Sequence, residues 1–353
     1  MLTLKEADVR DTIRRASSVL LALAFLLAFV MPATAESKNR PVPVNVHNFV
    51  RAETDLYFSR LSVGGFGKFN HRRMPPSIDD QTVVRMNRDT LYSSAVFDLD
   101  AAPVTVTLPD TGGRFMSLQA ISQDHYSPDV VYAPGRFTFD RTSIGTRYVA
   151  LIIRTLVNAE DPKDIAIANR LQDAVMVGQD RVGSFEIPLW DAPSQDRVRG
   201  ALFALGVLGN VVNRFGKKAD VDPFDHLIGT ATGWGGNPRA AAEYQNVYPI
   251  RNDGETAYRL TLKDVPVDGF WSVSVYNSDG YFVKNDLNAY SLNNVTAKRN
   301  SDGAVTIQFG NCEKGTPNCL LVMPGWNFTM RFYRPRKAIL DGSWKVPPLQ
   351  PVE

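Results

Sequence analysis

Residues Gly269–Tyr290 read Gly-Phe-Trp-Ser-Val-Ser-Val-Tyr-Asn-Ser-Asp-Gly-Tyr-Phe-Val-Lys-Asn-Asp-Leu-Asn-Ala-Tyr. The stretch begins as a strand. Phe270–Tyr276 is aromatic and β-branched, and Ser272 and Ser274 alternate with Val273 and Val275. Asn277-Ser278-Asp279-Gly280 suits a tight reversal. Beyond the turn, rings and side-chain amides crowd together: Tyr281, Phe282, Asn285, Asn288 and Tyr290. Rings offer apolar faces and amides offer donors and acceptors together, which fits either a ligand surface or a polar-edged core.

Phe115–Tyr126, Phe-Met-Ser-Leu-Gln-Ala-Ile-Ser-Gln-Asp-His-Tyr, echoes it without a gap. Phe115 falls on Phe270, Ser117 on Ser272, Asp124 on Asp279 and Tyr126 on Tyr281. Upstream, Thr107–Asp110 resembles Thr261–Asp264. Downstream, Gly145 to Arg154 lies on Gly325 to Arg334 after a longer insertion in the second copy. Two readings are open: a duplicated β unit, each copy a strand, a polar turn and a returning strand, or the general likeness of β-hairpins.

The start of the chain has the pattern of an export leader. Lys5, Arg10, Arg14 and Arg15 precede the apolar run Val19–Met31, and Pro32-Ala33-Thr34-Ala35 supplies the small residues of a cleavage site. Cleavage after Ala35 is expected, with an uncleaved anchor as the alternative. The export route, general or twin-arginine, stays open. The mature protein is then periplasmic or secreted, with no membrane attachment after cleavage. In an oxidising compartment Cys312 and Cys319, the only cysteines, read as a disulfide closing a loop around Gly315-Thr316-Pro317. Lys and Arg number 39 against 37 Asp and Glu, a formal net charge of +2, so there is no electrostatic footprint for nucleic acid.

Helix and strand signals divide the rest. His47–Val63 carries Phe49, Ala52, Leu56 and Val63 on one face, with Arg51 and Asp55 spaced to pair. Asp161-Pro162 starts a helix expected to run towards Gly178. Ser194 is expected to cap a second one that ends at Gly216, and Pro223–Ile228 a short third. Thr230–Pro238 sets three glycines and a proline around Trp234, which lets backbone approach something closely under one indole. Ala240–Tyr244 reads as a helical turn. The expected organisation is a leader over 1–35, an N-terminal helix and first β unit over 36–155, a helical linking segment over 156–250, and a second β unit over 251–353.

Three motifs carry a resemblance: Asn87-Arg88-Asp89-Thr90-Leu91-Tyr92; Thr232-Gly233-Trp234-Gly235-Gly236-Asn237-Pro238 with Tyr244; and Tyr276-Asn277 through Tyr281, Asn285 and Tyr290. Together, and in this order, they resemble the bacterial proteins that pair domain of unknown function 1254 with domain of unknown function 1214. The resemblance spans nearly the whole chain after the leader. It implies an α+β, β-rich fold of two jelly-roll-like β-sandwich units joined by helices, and it implies no settled activity.

The residues permit two functions. His47, His71, His125 and His226 are scattered without a metal-ligand spacing, so no metal and no cofactor is expected. A Gly-x-Ser-x-Gly elbow and a phosphate-binding loop are absent from the sequence. The first reading is a binding or accessory protein for a small polar, carbohydrate-like envelope ligand. Its contacts would be Asn87, Arg88, Tyr92, Trp234, Tyr244, Tyr276, Asn277, Tyr281 and Asn285. The second is a glycoside or ester hydrolase using Asp89 or His125 in the same cleft. Each Asp also has a plain reading as a turn residue, and Asp89 as the partner of Arg88 or Arg85. Oligomeric state is not readable.

Overall fold

Strict alternation along the strands sets the architecture. In Met116–Ser122 the side chains of Met116, Leu118 and Ala120 enter one core, while Ser117 and Gln119 point to the opposite face, and both faces are buried. The computed structural model describes residues 40–81, 83–208, 213–313 and 315–352, so the leader and its cleavage site lie outside the described residues. Pro43–Glu353 form one compact unit.

Its first half holds helix α1 (Phe49–Ser62) and strands β1 (Asn70–His71), β2 (Thr90–Asp98), β3 (Val104–Leu108), β4 (Met116–Ser122), β5 (Val130–Tyr132) and β6 (Gly135–Phe139). The one-turn helix α2 (Arg141–Ile144) and β7 (Tyr148–Leu156) follow. The middle holds α3 (Pro162–Asp173), β8 (Met176–Gln179), α4 (Ala192–Gly206) and α5 (Pro223–Gly233). The second half holds β9 (Ala242–Val247), β10 (Tyr258–Leu262), β11 (Trp271–Tyr276), β12 (Ser291–Asn293), β13 (Val305–Phe309), β14 (Cys319–Leu320), β15 (Asn327–Tyr333), α6 (Lys337–Leu340) and β16 (Gln350–Pro351).

Among the described residues the strands form four sheets, ordered β1-β2-β7-β4-β5, β6-β3-β8, β12-β11-β15-β9 and β14-β13-β10-β16. Apart from β1 and β14, the first pair of sheets has the order of the second, strand for strand and in chain order. Each pair shares a core. Phe97, Val104, Val106, Leu118, Leu151 and Ile153 fill one, and Leu260, Val273, Ile307, Phe309, Phe328 and Phe332 the other. Each such side chain taken fully from water contributes about 1.5–3 kcal/mol. Two β-sandwich units built on one plan account for the echo between Phe115–Tyr126 and Phe270–Tyr281.

The register corrects the overlay of the returning strands. Ser117 pairs with Arg154 and Ser272 with Arg331, so the counterpart of Arg154 is Arg331 and not Arg334. Gly145 and Gly325 are both turn glycines with positive φ, but Gly145 stands three residues further from the shared part of its strand. Matching the two glycines therefore shifts the frame by three. The next strand out agrees: Tyr92 pairs with Arg154 as Tyr244 pairs with Arg331.

Local expectations are adjusted elsewhere. Ala240–Tyr244 is not helical: Ala242–Val247 is β9, because a six-residue ladder with β15 outweighs the helix propensity of three alanines. Asp161 caps α3, accepting from the Lys163 N–H at 2.9 Å, but that helix ends at Asp173 and the chain re-enters a sheet as β8. Asp191, not Ser194, caps α4, because Pro193 in the first turn needs no N–H partner and sets the start upstream. The helix ends at Gly206 rather than Gly216, and residues 209–212 lie outside the described set. Asp222 caps α5, which runs on to Gly233. Arg51 pairs with Asp124 at 2.6 Å and not with Asp55, whose carboxylate takes Gln123 and Trp190.

Cys312 and Cys319 form a disulfide, with Cα atoms 5.7 Å apart. The closed loop is short, so replacing both cysteines by serine should lower stability by about 2–3 kcal/mol by loop-closure reasoning. Urea unfolding measures the loss. Alkylation of the denatured, unreduced wild-type protein should label no cysteine, and labelled thiols would refute the bond.

Candidate functional site

The faces of β4, β7, β11 and β15 that point away from the two cores are also buried; those of β11 and β15 are mostly polar, while those of β4 and β7 combine Ser117, Gln119 and Arg154 with Ile121, Tyr148, Ala150 and Ile152, which pack with Phe58 of α1. On β7 that face carries Ile152 and Arg154, on β15 Thr329 and Arg331, and the flanking strands β2 and β9 add Tyr92 and Tyr244. Residues of β2, β7, β9 and β15 on this side line a cavity of about 510 Å³, together with Arg85 and Asn87 before β2 and Arg214, Phe215 and Gly233–Gly236 from the linking segment. Among its described lining residues are four arginines and no Asp or Glu.

Neutral acceptors hold both inner arginines. Arg154 is 6% exposed; it donates to Gln119 Oε1 at 2.7 Å and to the Gly235 carbonyl at 3.1 Å, and its guanidinium lies 5.5 Å from the Tyr92 ring centre. Arg331 is 3% exposed; it donates to Ser274 Oγ at 2.9 Å, to Tyr276 Oη at 2.6 Å and to the Arg85 carbonyl at 3.0 Å. Gln119 and Ser274 are themselves equivalent positions, each two residues beyond the serine that pairs with the arginine. Burial works against the Arg331 charge, while its hydrogen bond to Tyr276 Oη and the Asp89 carboxylate favour it, and its pKa is raised. Arg85 donates to Thr329 Oγ1 at 2.9 Å and Tyr248 Oη at 3.0 Å. The Arg214 pKa is lowered by burial, against the pull of Asp225 and Glu243.

Tyrosines and amides complete the wall. Asn87 Nδ2 donates to Tyr333 Oη at 2.8 Å, and Asn237 Nδ2 to Tyr244 Oη at 3.0 Å. Burial raises the pKa of Tyr244, which Arg154 and Arg331 partly offset. Tyr333 is raised further, by burial and then by Tyr244 and Tyr92 beside it, so these phenols are neutral donors at neutral pH.

The glycine loop explains its own composition. Gly235 has φ +79°, and a Cβ on Gly236 would lie 2.3 Å from the Phe215 ring. With no side chain in the way, the Gly235 carbonyl meets Arg154, its N–H meets His125 Nε2 at 2.9 Å, and the Gly236 carbonyl meets Gln119 Nε2 at 2.9 Å. Trp234 reaches the cavity with its indole stacked on Tyr57 at 4.4 Å and His125 at 5.5 Å, and its N–H directed to Thr54 Oγ1 at 3.3 Å.

Of the residues singled out by sequence, Asn87, Tyr92, Trp234 and Tyr244 line this cavity. The others lie elsewhere. Asp89 is 2% exposed and accepts from Ser272 Oγ at 2.6 Å, rather than from Arg88 or Arg85. Burial raises its pKa against the pull of Arg331. His125 is 3% exposed. Its Nε2 accepts from Gly235, which leaves Nδ1 to donate to Thr230 Oγ1 at 2.8 Å. Arg88 is tied to the Pro76 carbonyl and, at 2.8 Å, to Glu160. Tyr276 packs with Met86, Phe282 and Tyr290 in a small core. Asn277 takes the Tyr281 N–H at 2.9 Å and Asn285 the Ala289 N–H at 3.1 Å, both as organisers of the loop after β11. Tyr281 is half-buried in that loop. No cluster of three or more His, Cys, Asp or Glu able to hold a metal occurs among the described residues.

Sequence reading passed over Arg85, Arg154, Arg214, Phe215, Asn246, Thr329 and Arg331. A signal existed for two of them. Arg154 and Arg331 are the charged residues within strands that otherwise read Tyr-Val-Ala-Leu-Ile-Ile-Arg-Thr-Leu and Asn-Phe-Thr-Met-Arg-Phe-Tyr, and burying a guanidinium in a strand centre needs a reason.

Comparison with known proteins agrees with the motifs. Among solved structures, the VPA0106 protein from Vibrio parahaemolyticus superimposes with a TM-score of 0.67 at 20% identity, covering 87% of this chain and 98% of its own. That likeness is one of fold. An uncharacterised protein from Burkholderia cenocepacia gives a TM-score of 0.46 at 14% identity, over 98% of this chain and 94% of its own. No curated protein matches the sequence. Residues 66–140 match the family described as "Protein of unknown function (DUF1254)", and residues 248–337 the family described as "Protein of unknown function (DUF1214)". The chain therefore pairs DUF1254 with DUF1214, the first N-terminal and the second C-terminal.

Proposed function

We propose that the protein binds a small polar, carbohydrate-like ligand in the cavity between its two sheet faces, outside the cytoplasm and without transforming it. One observation carries this reading. Strands from both halves and a loop from the linking segment converge on a single space of about 510 Å³, whose walls combine phenol, amide and hydroxyl groups with rings. Ligand sites have this character: concave, partly apolar, with a few fixed polar groups. The disulfide suits an oxidising compartment, and no helix among the described residues is long and apolar enough to cross a membrane. Cleavage of the leader after Ala35 belongs to the same proposal.

The hydrolase reading rests on Asp89 and His125. Neither is among the described lining residues, and both nitrogens of His125 are hydrogen-bonded to the protein. We expect no turnover of nitrophenyl glycosides or esters by the purified protein. Turnover lost in Asp89→Asn or His125→Ala would overturn the binding proposal in favour of hydrolysis.

His125 has a structural consequence instead. Burial, and then the neighbouring His226, hold its pKa well below the usual histidine value. The unfolded chain takes up the proton near pH 6.5 while the folded protein does not, so stability falls as pH drops from about 6.5 towards the folded pKa. One proton contributes at most about 1.4 kcal/mol per pH unit. Urea midpoints measured between pH 7.5 and 5 should fall less steeply in His125→Gln than in the wild type. Equal slopes would show that this imidazole is not held neutral.

A further inference from the structure

We propose that the cavity selects an oxyanion: its ligand carries a carboxylate, phosphate or sulfate group whose charge is met by Arg154 and Arg331. This rests on the binding reading above and adds the ligand's charge to it. Three arginines among the described residues fall below a tenth exposed: Arg88, Arg154 and Arg331. Arg88, away from the cavity, has a carboxylate, Glu160, at 2.8 Å. Partly buried arginines elsewhere follow the same rule, with Arg147 on Asp98 at 2.8 Å and Arg199 on Glu53 at 2.6 Å. Arg154 and Arg331, together with Arg85 at the rim, have no described carboxylate within 4 Å.

Neutral acceptors hold these three instead: Gln119, the Gly235 and Arg85 carbonyls, Ser274, Tyr276, Thr329 and Tyr248. Neutral acceptors orient a guanidinium without cancelling its charge. Removing such a charge from water is unfavourable unless an opposite charge compensates. Asp89 supplies part of that for Arg331 across a longer distance, but its own carboxyl is bonded to Ser272 and raised by burial. The guanidinium fork matches planar and tetrahedral oxyanions alike. Arg154 uses two of its N–H groups on Gln119 and Gly235, which leaves others for a ligand. The internal repeat puts one such arginine on each of the two main sheets, at equivalent register, and both line the same cavity.

The full-length mature protein is titrated with glucuronate, glucose 6-phosphate, inorganic phosphate and neutral glucose at constant ionic strength. Thermal unfolding and calorimetry report binding. We expect saturable stabilisation by at least one of the anions and a response to glucose at least tenfold weaker. Comparing glucuronate with the two phosphates tells carboxylate from phosphate recognition, and inorganic phosphate separates the anion from the sugar. Arg154→Gln and Arg331→Gln should weaken the anion response roughly tenfold to a hundredfold, the effect of losing one charged hydrogen-bond partner. Arg85→Gln, on a half-buried loop residue, tests the same charge without disturbing a strand. Arg136→Gln, on an exposed residue of β6, should change nothing. Equal binding of glucose and glucuronate, lost in Tyr92→Ala but kept in Arg85→Gln and Arg154→Gln, would overturn the anion proposal and leave the binding reading standing. No saturable response to any of the four would overturn both.

Discussion

Each main sheet of this protein buries both faces: one is an apolar core face, and the other presents polar side chains, with an apolar patch on the first sheet where Val96, Ile121, Tyr148, Ala150 and Ile152 pack with Phe58 of α1. That constraint governs the rest. The apolar face needs a second sheet, which gives each half its sandwich. The polar face needs a partner for every donor and acceptor, since one left unmatched costs on the order of 1–3 kcal/mol. Side-chain amides do much of the matching. Gln119 takes Arg154 on its oxygen and gives its amide hydrogens to Ser127 and the Gly236 carbonyl, which ties the sheet to the glycine loop. Gln123 joins Asp55 of α1 to the Tyr148 N–H, and Gln172 of α3 reaches the Tyr92 carbonyl and Ser93. Helices and linking loop are therefore docked by the hydrogen-bond demand of the sheets as well as by apolar packing.

The two halves answer this demand with the same three positions and different partners. Ser117, Arg154 and Tyr92 recur as Ser272, Arg331 and Tyr244. In the first half the second acceptor for the arginine is a backbone carbonyl of the linking loop, Gly235; in the second half it is Tyr276 and the Arg85 carbonyl. Equivalent arginines are thus fixed by non-equivalent surroundings. A ligand between the sheets would meet a wall whose Arg154 and Tyr92 are repeated as Arg331 and Tyr244, while Trp234, Phe215, Arg85 and Arg214 have no such counterpart in the lining. Such a site would distinguish the two ends of an elongated ligand.

The fold was largely legible and the site only partly so, for a physical reason. Alternation in Phe270–Tyr276, the caps at Asp161-Pro162 and the gapless echo of Phe115–Tyr126 are local signals, and the elements they announce are present. Boundaries failed where a long-range ladder decided the outcome, as at Ala242–Val247. In the site, Asn87, Tyr92, Trp234 and Tyr244 stood out because rings and amides were dense around them. Density misled at Tyr276–Asn285, where the same residue types serve a turn and a small core: Asn277 and Asn285 satisfy loop N–H groups and Tyr276 packs on Phe282. Whether an amide faces a ligand or its own backbone depends on which strand lies opposite, and composition does not carry that.

A lone arginine in an apolar strand is the quieter signal and the more telling one. An asparagine in a loop has water or its own backbone at hand, so its presence demands no explanation. A guanidinium at the centre of β7 or β15 has neither, and its removal from water must be offset within reach of its five N–H groups. Elsewhere this chain provides a carboxylate, and at the cavity it provides only neutral acceptors together with about 510 Å³ of unfilled space. Filling that space with apolar side chains and replacing Arg154 by one of them would be expected to stabilise the empty protein, as substitutions at binding sites commonly do. The fold instead holds both guanidinium groups on neutral acceptors, in positions fixed by Gln119 and Ser274, with Asp89 compensating Arg331 only across a longer distance, and the proposed oxyanion would supply the remaining counter-charge.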